Sequence, residues 1–203
     1  MQRYDPRTAL VVVDLQNDFA DPAGGLAVHG GANLVPIING EIAMARSAGS
    51  PVVFTQDWHP ESTPHFAKDG GTWPVHCVSG TWGAELHPDV DVEAAAAAPR
   101  VRKGANGEDG YSGFTMRDPE TGETTPTELE GLLRDAGATR VVVCGLATDY
   151  CVKETALDAA RLGFETAVLL DAIRPVDLVA GDGERAIAAM TRAGVHAWSV
   201  RMR

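Results

Sequence analysis

Basic residues, cysteines and long apolar runs are all scarce in this chain of 203 residues, and each shortage removes a class of function. Lysine and arginine number 17 against 28 acidic residues, a formal charge of -11, and no run of cations stands out against that balance. A phosphate backbone or an anionic membrane surface would be repelled, so binding to nucleic acid or membrane is disfavoured. The longest apolar run near the N-terminus, Ala9 to Val13, stops at Asp14. That is too short for a signal-peptide core or a bilayer span, and the expected location is the cytoplasm. Three cysteines, Cys77, Cys144 and Cys151, cannot make a disulfide framework and suit a reducing compartment. Also missing are a Gly-x-Gly-x-x-Gly after a strand, a Walker loop and a Gly-x-Ser-x-Gly elbow, the usual marks of dinucleotide binding, phosphoryl transfer and serine hydrolysis.

What remains has the composition of a folded globular protein, with 44% apolar and 22% charged residues. No repeat or domain boundary interrupts residues 1–203, so a single domain is expected. Apolar runs at Thr8–Val13, Pro51–Thr55, Arg140–Gly145, Thr166–Leu170 and Val195–Val200, with a weaker one at Arg100–Lys103, read as buried strands. Between them lie helical periodicities ahead of Gly49, Gly137, Gly163 and Gly194, each glycine standing where a left-handed C-cap belongs. Ala94 to Ala98 reads as a short helix or a linker. Strands alternating with helices predict a three-layer α/β/α sandwich around a mainly parallel sheet of roughly six strands. Trp58 to Val92 breaks the alternation. It holds three of the four tryptophans and four prolines, which marks an ordered functional loop rather than a linker.

In open parallel sheets chemistry gathers at the carboxyl ends of the strands. There the sequence places Asp14 after the first strand, Asp57 and His59 after the second, Lys103 at the end of the weak third, and Cys151 beyond the fourth. A cysteine opening a helix gains from the macrodipole, which would lower its pKa and raise its thiolate fraction. Thr148 and Asp149 are good caps for such a helix. The plain alternative for any free cysteine is a small buried hydrophobe. Cys144, inside a valine strand, reads that way, and so does Cys77. Asp14 is either a helix-capping acid or a general base, and Lys103, one of only three lysines, is either a surface cation or part of a site. Asp57 and His59 sit two apart with His65 and His76 following, a carboxylate and imidazole set suited to Zn²⁺, Fe²⁺ or Mn²⁺, unless these are ordinary loop histidines. His29, His87 and His196 read as structural or solvated.

Five segments in order, ALVVVDLQNDF (Ala9–Phe19), TQDWHP (Thr55–Pro60), WPVHCVSGTWGAELHP (Trp73–Pro88), KGANGEDGYSGF (Lys103–Phe114) and GLATDYCVKETALDA (Gly145–Ala159), resemble the nicotinamidase branch of the isochorismatase-like cysteine hydrolases. The resemblance implies a catalytic set of Asp14 as general base, Lys103 as supporting cation and Cys151 as nucleophile, with the backbone N–H groups of Ala147 and Cys151 as oxyanion hole beside a cis Leu146–Ala147 peptide. It further implies one divalent metal, Zn²⁺ first, on Asp57, His59 and His76 with His65 as fourth ligand. Phe19, Trp73 and Tyr111 would bind the flat ring of a small-molecule amide, nicotinamide or pyrazinamide. Tyr150 departs from the histidine that often precedes the nucleophile in such proteins, and both monomer and homo-oligomer remain open. Two alternatives stand beside this expectation: a hydrolase of another small amide or carbamoyl substrate, and a non-catalytic binding protein on the same fold.

Overall fold

The computed structural model describes residues 3–199. In chain order it contains β1 (Thr8–Val13), the single turn α1 (Asn17–Ala20), α2 (Val35–Ser47), β2 (Val52–Asp57), α3 (Val92–Ala97), β3 (Arg100–Lys103), β4 (Thr115–Arg117), β5 (Thr124–Pro126), α4 (Leu129–Asp135), β6 (Arg140–Leu146), α5 (Lys153–Arg161), β7 (Glu165–Arg174), α6 (Asp182–Arg192) and β8 (His196–Trp198). Val200, the last residue of the expected final strand, lies outside the described residues, as do both ends of the expected 1–203 domain.

Six of these strands form one sheet in the order β3-β2-β1-β6-β7-β8, and every neighbouring pair is parallel. Along each strand, side chains alternate between two cores. Leu10, Val12, Phe54, Val142 and Leu169 face α2 and α3, whereas Val11, Val53, Val143 and Val168 face α4, α5 and α6. Both faces of the sheet are therefore covered, as the unbroken apolar runs require. Ile38 and Ile42 of α2 are fully buried on the first face, each contributing roughly 1.5–3 kcal/mol by leaving water.

Helices α2, α4, α5 and α6 all end as the glycines predict. Gly49, Gly137, Gly163 and Gly194 are left-handed, and the next residue's N–H closes back on the helix, Ser50 to Ala45, Ala138 to Leu133, Phe164 to Ala159 and Val195 to Met190. The Ala94–Ala98 stretch resolves into α3, with Asp91 capping it by accepting from the Ala94 N–H at 3.0 Å.

Some elements differ from expectation. Strand β2 runs two residues past Thr55, so Asp57 ends the strand rather than following it. Strand β7 extends to Arg174. The antiparallel hairpin of β4 and β5 was not foreseen, because its short, largely polar strands lie off the main sheet and bury no apolar face that could mark them. The aromatic loop after β2 is held in place by bridges between His59 and Val78, Phe66 and Trp73, and Gln16 and Leu86. No described helix is long and apolar enough to cross a membrane.

The chain runs outward from β1 to β2 and β3, then returns to β6 on β1's other side. The carboxyl ends of β1 and β6 thus form the switch point where α/β sheets open a crevice. Backbone packing is close there. A Cβ on Gly145 would lie 2.0 Å from the Val13 carbonyl oxygen, so only glycine lets β6 approach β1 at this level.

Candidate active site

Four strand ends supply the floor of the crevice. Asp14 leaves β1 with a positive φ of 46°, a conformation that aspartate tolerates better than most residues, and its side chain is fully buried. Lys103, last residue of β3, is 1% exposed. Its Nζ lies 2.6 Å from Asp57 Oδ1, 2.9 Å from Asp14 Oδ2, 3.3 Å from the Tyr111 carbonyl and 3.5 Å from Cys151 Sγ. The structure therefore brings the three residues expected to act together within reach of one ammonium group. That ammonium also grips Asp57, a link the sequence did not reveal.

The peptide between Leu146 and Ala147 is cis. Beyond it Thr148–Val152 makes one π-helical turn that merges into α5, carrying Cys151 to the floor. One expectation fails at this point. Position at a helix start was expected to lower the Cys151 pKa, but burial pushes the thiol well up; Lys103 opposes this, while Asp14 and Asp57 reinforce it. Desolvation of a thiolate outweighs the helix end, so Cys151 rests as a thiol. Burial also raises Asp14, only partly offset by Lys103. Asp57 is buried too, but Lys103 and the neighbouring imidazoles outweigh desolvation and hold it well below the carboxylate range. Lys103 stays charged because its two carboxylates overcome its own desolvation.

Beside this floor stand three imidazoles. Ring nitrogens of His59, His65 and His76 all lie within 4.8 Å of one another, and Nε2 of His59 and of His76 lie 3.8 and 3.9 Å from Asp57 Oδ2. His76 Nδ1 pairs with the Pro74 carbonyl at 2.7 Å, which leaves Nε2 as the free lone pair. Burial lowers the His76 pKa and brings His65 down to about 4, so both rings are neutral at pH 7. Both nitrogens of His59 are buried without a hydrogen-bond partner among the described residues. Buried lone pairs converging on a carboxylate are costly unless a cation joins them, and this donor set fits a divalent metal ion. Supporting groups surround the set. A Cβ on Gly104, whose φ is +81°, would lie 2.6 Å from His59 Nδ1, so glycine leaves room for that ring.

Sequence reasoning missed several of the supports. Gln16 accepts from the Asp57 N–H at 2.8 Å and donates to its carbonyl at 2.7 Å, gripping the backbone as a strand neighbour would. Phe66 is fully buried with its ring 5.5 Å from those of His59 and His76. Thr55 hydrogen-bonds Asp14. A glutamine, a phenylalanine and a threonine carry no sequence signal that separates them from ordinary core residues, and only their placement marks them.

Above the floor is a small pocket, partly open to solvent. The expected Phe19, Trp73 and Tyr111 line it together with Ala147, Cys151 and the Asp57 and imidazole cluster, Tyr150 adds its ring, and Leu26 and Val176, for which no such role was expected, also line it. Trp73 Nε1 donates to the Tyr111 hydroxyl at 3.1 Å, and the Tyr150 ring stands edge-on to both, with centroids 4.9 and 5.1 Å away. The aromatic lining of the cleft fits a small flat ring. His87 is buried and accepts from the Asp89 N–H, whereas His29 and His196 are exposed, all apart from the pocket.

The isochorismatase domain family model matches residues 8–201. The curated nicotinamidase/pyrazinamidase of Mycobacterium tuberculosis is 45% identical over 166 residues, covering 80% of this chain and 84% of the relative. Among solved structures, the pyrazinamidase of Pyrococcus horikoshii in complex with zinc is 39% identical with a TM-score of 0.83, covering 96% of this chain and 99% of that one. An L. infantum protein in complex with nicotinate is 38% identical with a TM-score of 0.85, covering 96% and 93%.

Proposed function

The chain belongs to the isochorismatase family, and from that premise we propose that it is a metal-dependent cysteine amidohydrolase converting nicotinamide to nicotinic acid and ammonia, and pyrazinamide to pyrazinoic acid. The observation that carries this reading is the Lys103 ammonium, which sits 2.9 Å from Asp14 and 3.5 Å from Cys151 under an aromatic pocket walled by imidazoles. The whole chain, residues 1–203, is read as one hydrolase domain, located in the cytoplasm and serving NAD salvage.

In this reading Phe19, Trp73 and Tyr111 hold the pyridine ring and place its amide over Cys151. Asp14 takes the thiol proton, and the thiolate attacks the carbonyl carbon. The backbone N–H groups of Ala147 and Cys151 stabilise the oxyanion. The C–N bond then breaks as Asp14 returns the proton to the departing ammonia, leaving a thioester on Cys151. Asp14 next deprotonates a water, whose oxygen attacks the thioester carbonyl and releases nicotinic acid and the regenerated thiol. Lys103 keeps its charge throughout and favours both ionised Asp14 and the thiolate. A divalent metal on Asp57, His59, His76 and His65, Zn²⁺ first with Fe²⁺ or Mn²⁺ also suited to these donors, supplies Lewis acidity and positive charge at the pocket wall.

Ammonia release from nicotinamide is the test, measured on the purified protein before and after chelation and metal add-back, with Cys151→Ala as the blank. Turnover lost on chelation and restored by metal is the expected result. No turnover by metal-loaded protein would sink the substrate assignment and point to another small amide.

A further inference from the structure

Thr55 lies in β2, is fully buried, and faces Asp14 across the β1–β2 pair. Its Oγ1 donates to Asp14 Oδ1 at 2.6 Å and accepts from the Asp14 N–H at 3.3 Å, while its own carbonyl accepts from the same N–H at 3.2 Å. A hydroxyl has a single proton. Because the backbone N–H takes one of its lone pairs, that proton is directed at the carboxylate. Asp14 Oδ2 is meanwhile held by Lys103. The carboxylate is thus gripped at both oxygens, once by a charge and once by a neutral donor.

We propose that Thr55 is a positioning residue for the amide hydrolysis, its hydroxyl fixing the Asp14 carboxylate in the orientation that receives the Cys151 proton. Lys103 cannot do this alone, because it is shared among Asp14, Asp57, the Tyr111 carbonyl and the thiol, and a tetrahedral ammonium pulled by four acceptors does not define the plane of any one carboxylate. Thr55 is not among the residues that line the pocket. Its methyl has a separate, structural role, since a Cβ on Gly113 would sit only 3.0 Å from Thr55 Cγ2, so methyl and glycine are closely packed.

Those two roles make opposite predictions for two substitutions. Thr55→Val keeps the shape and loses the hydroxyl; Thr55→Ser keeps the hydroxyl and loses the methyl. If Thr55 positions Asp14, Thr55→Val lowers kcat for nicotinamide by about tenfold to a hundredfold, the range for a lost hydrogen bond to a charged group, with KM and bound metal unchanged. Thr55→Ser then stays within about threefold of the parent, even though its melting temperature falls further than that of the valine variant. The proposal rests on the amidohydrolase reading, so a second readout is free of substrate: the rate at which iodoacetamide alkylates Cys151, located by peptide mass, which also requires Asp14 to take the thiol proton. Slow alkylation in Thr55→Val and near-parent alkylation in Thr55→Ser supports the assignment even if nicotinamide proves not to be the substrate. Parent-like kcat and alkylation in Thr55→Val, or losses in Thr55→Ser as large as those in Thr55→Val, overturn it.

Discussion

Two clusters of buried charge, one against α2 and one at the carboxyl ends of β1, β2 and β3, differ in how their charges are matched. On the α2 side, Glu41 is fully buried with one carboxylate oxygen on the Tyr4 hydroxyl at 2.7 Å and the other on the Arg3 guanidinium. One anion meets one cation and one neutral donor. At the crevice, Asp14 and Asp57 share a single lysine, a thiol lies alongside, and three imidazoles present lone pairs to the same space. In the first cluster the carboxylate has a donor at each oxygen, as a structural tie between the N-terminal segment and α2 should. The second has more anions and lone pairs than cations, an imbalance of the kind that marks candidate functional sites.

Lys103→Met tests that contrast most severely. It leaves Asp14 and Asp57 buried without their shared cation, and the expected result is a kcat reduced by about a thousandfold or more. Stability should also fall by about 3–5 kcal/mol, read from urea denaturation, because an uncompensated buried charge remains. A parent-like kcat would show that the imbalance is not catalytic. Gly104→Ala sharpens the comparison at the imidazoles. A Cβ there would be 2.6 Å from His59 Nδ1, and metal affinity, followed by competition with a chromogenic chelator, should weaken by about tenfold to a hundredfold while the fold is retained. The smallest effect belongs to the Glu41 cluster. Tyr4→Phe removes one donor from Glu41 and should cost about 1–2 kcal/mol in denaturant while leaving kcat and KM as they were. A catalytic defect in that variant would dissolve the distinction between the two clusters.

Legibility in the sequence followed the range of the forces involved. The strand runs, the glycine-capped helices and the positions of Asp14, Lys103 and Cys151 near strand ends could be read because burial and capping leave local periodic patterns. Glu41 was not legible. It occupies a helical position adjacent to Ile42 and reads as an ordinary helix glutamate, and only the approach of Tyr4 and Arg3 makes its burial tolerable. Asp57 was expected just beyond a strand rather than at its last position, where Gln16 holds its backbone from a segment 41 residues away. Motif order pointed to the residues of the site, but not to Lys103 lying closer to Asp57 than to Asp14, nor to the desolvation that keeps Cys151 a thiol.

By itself the sequence determined the layers of the fold and the chemical types available at the strand ends, since apolar period and residue identity are properties of neighbours along the chain. The tertiary structure decided the order β3-β2-β1-β6-β7-β8, and with it which strand ends meet. It also decided the protonation tendencies of the site, because these depend on distances between groups remote in sequence and on how much water the packed sheet excludes from around them.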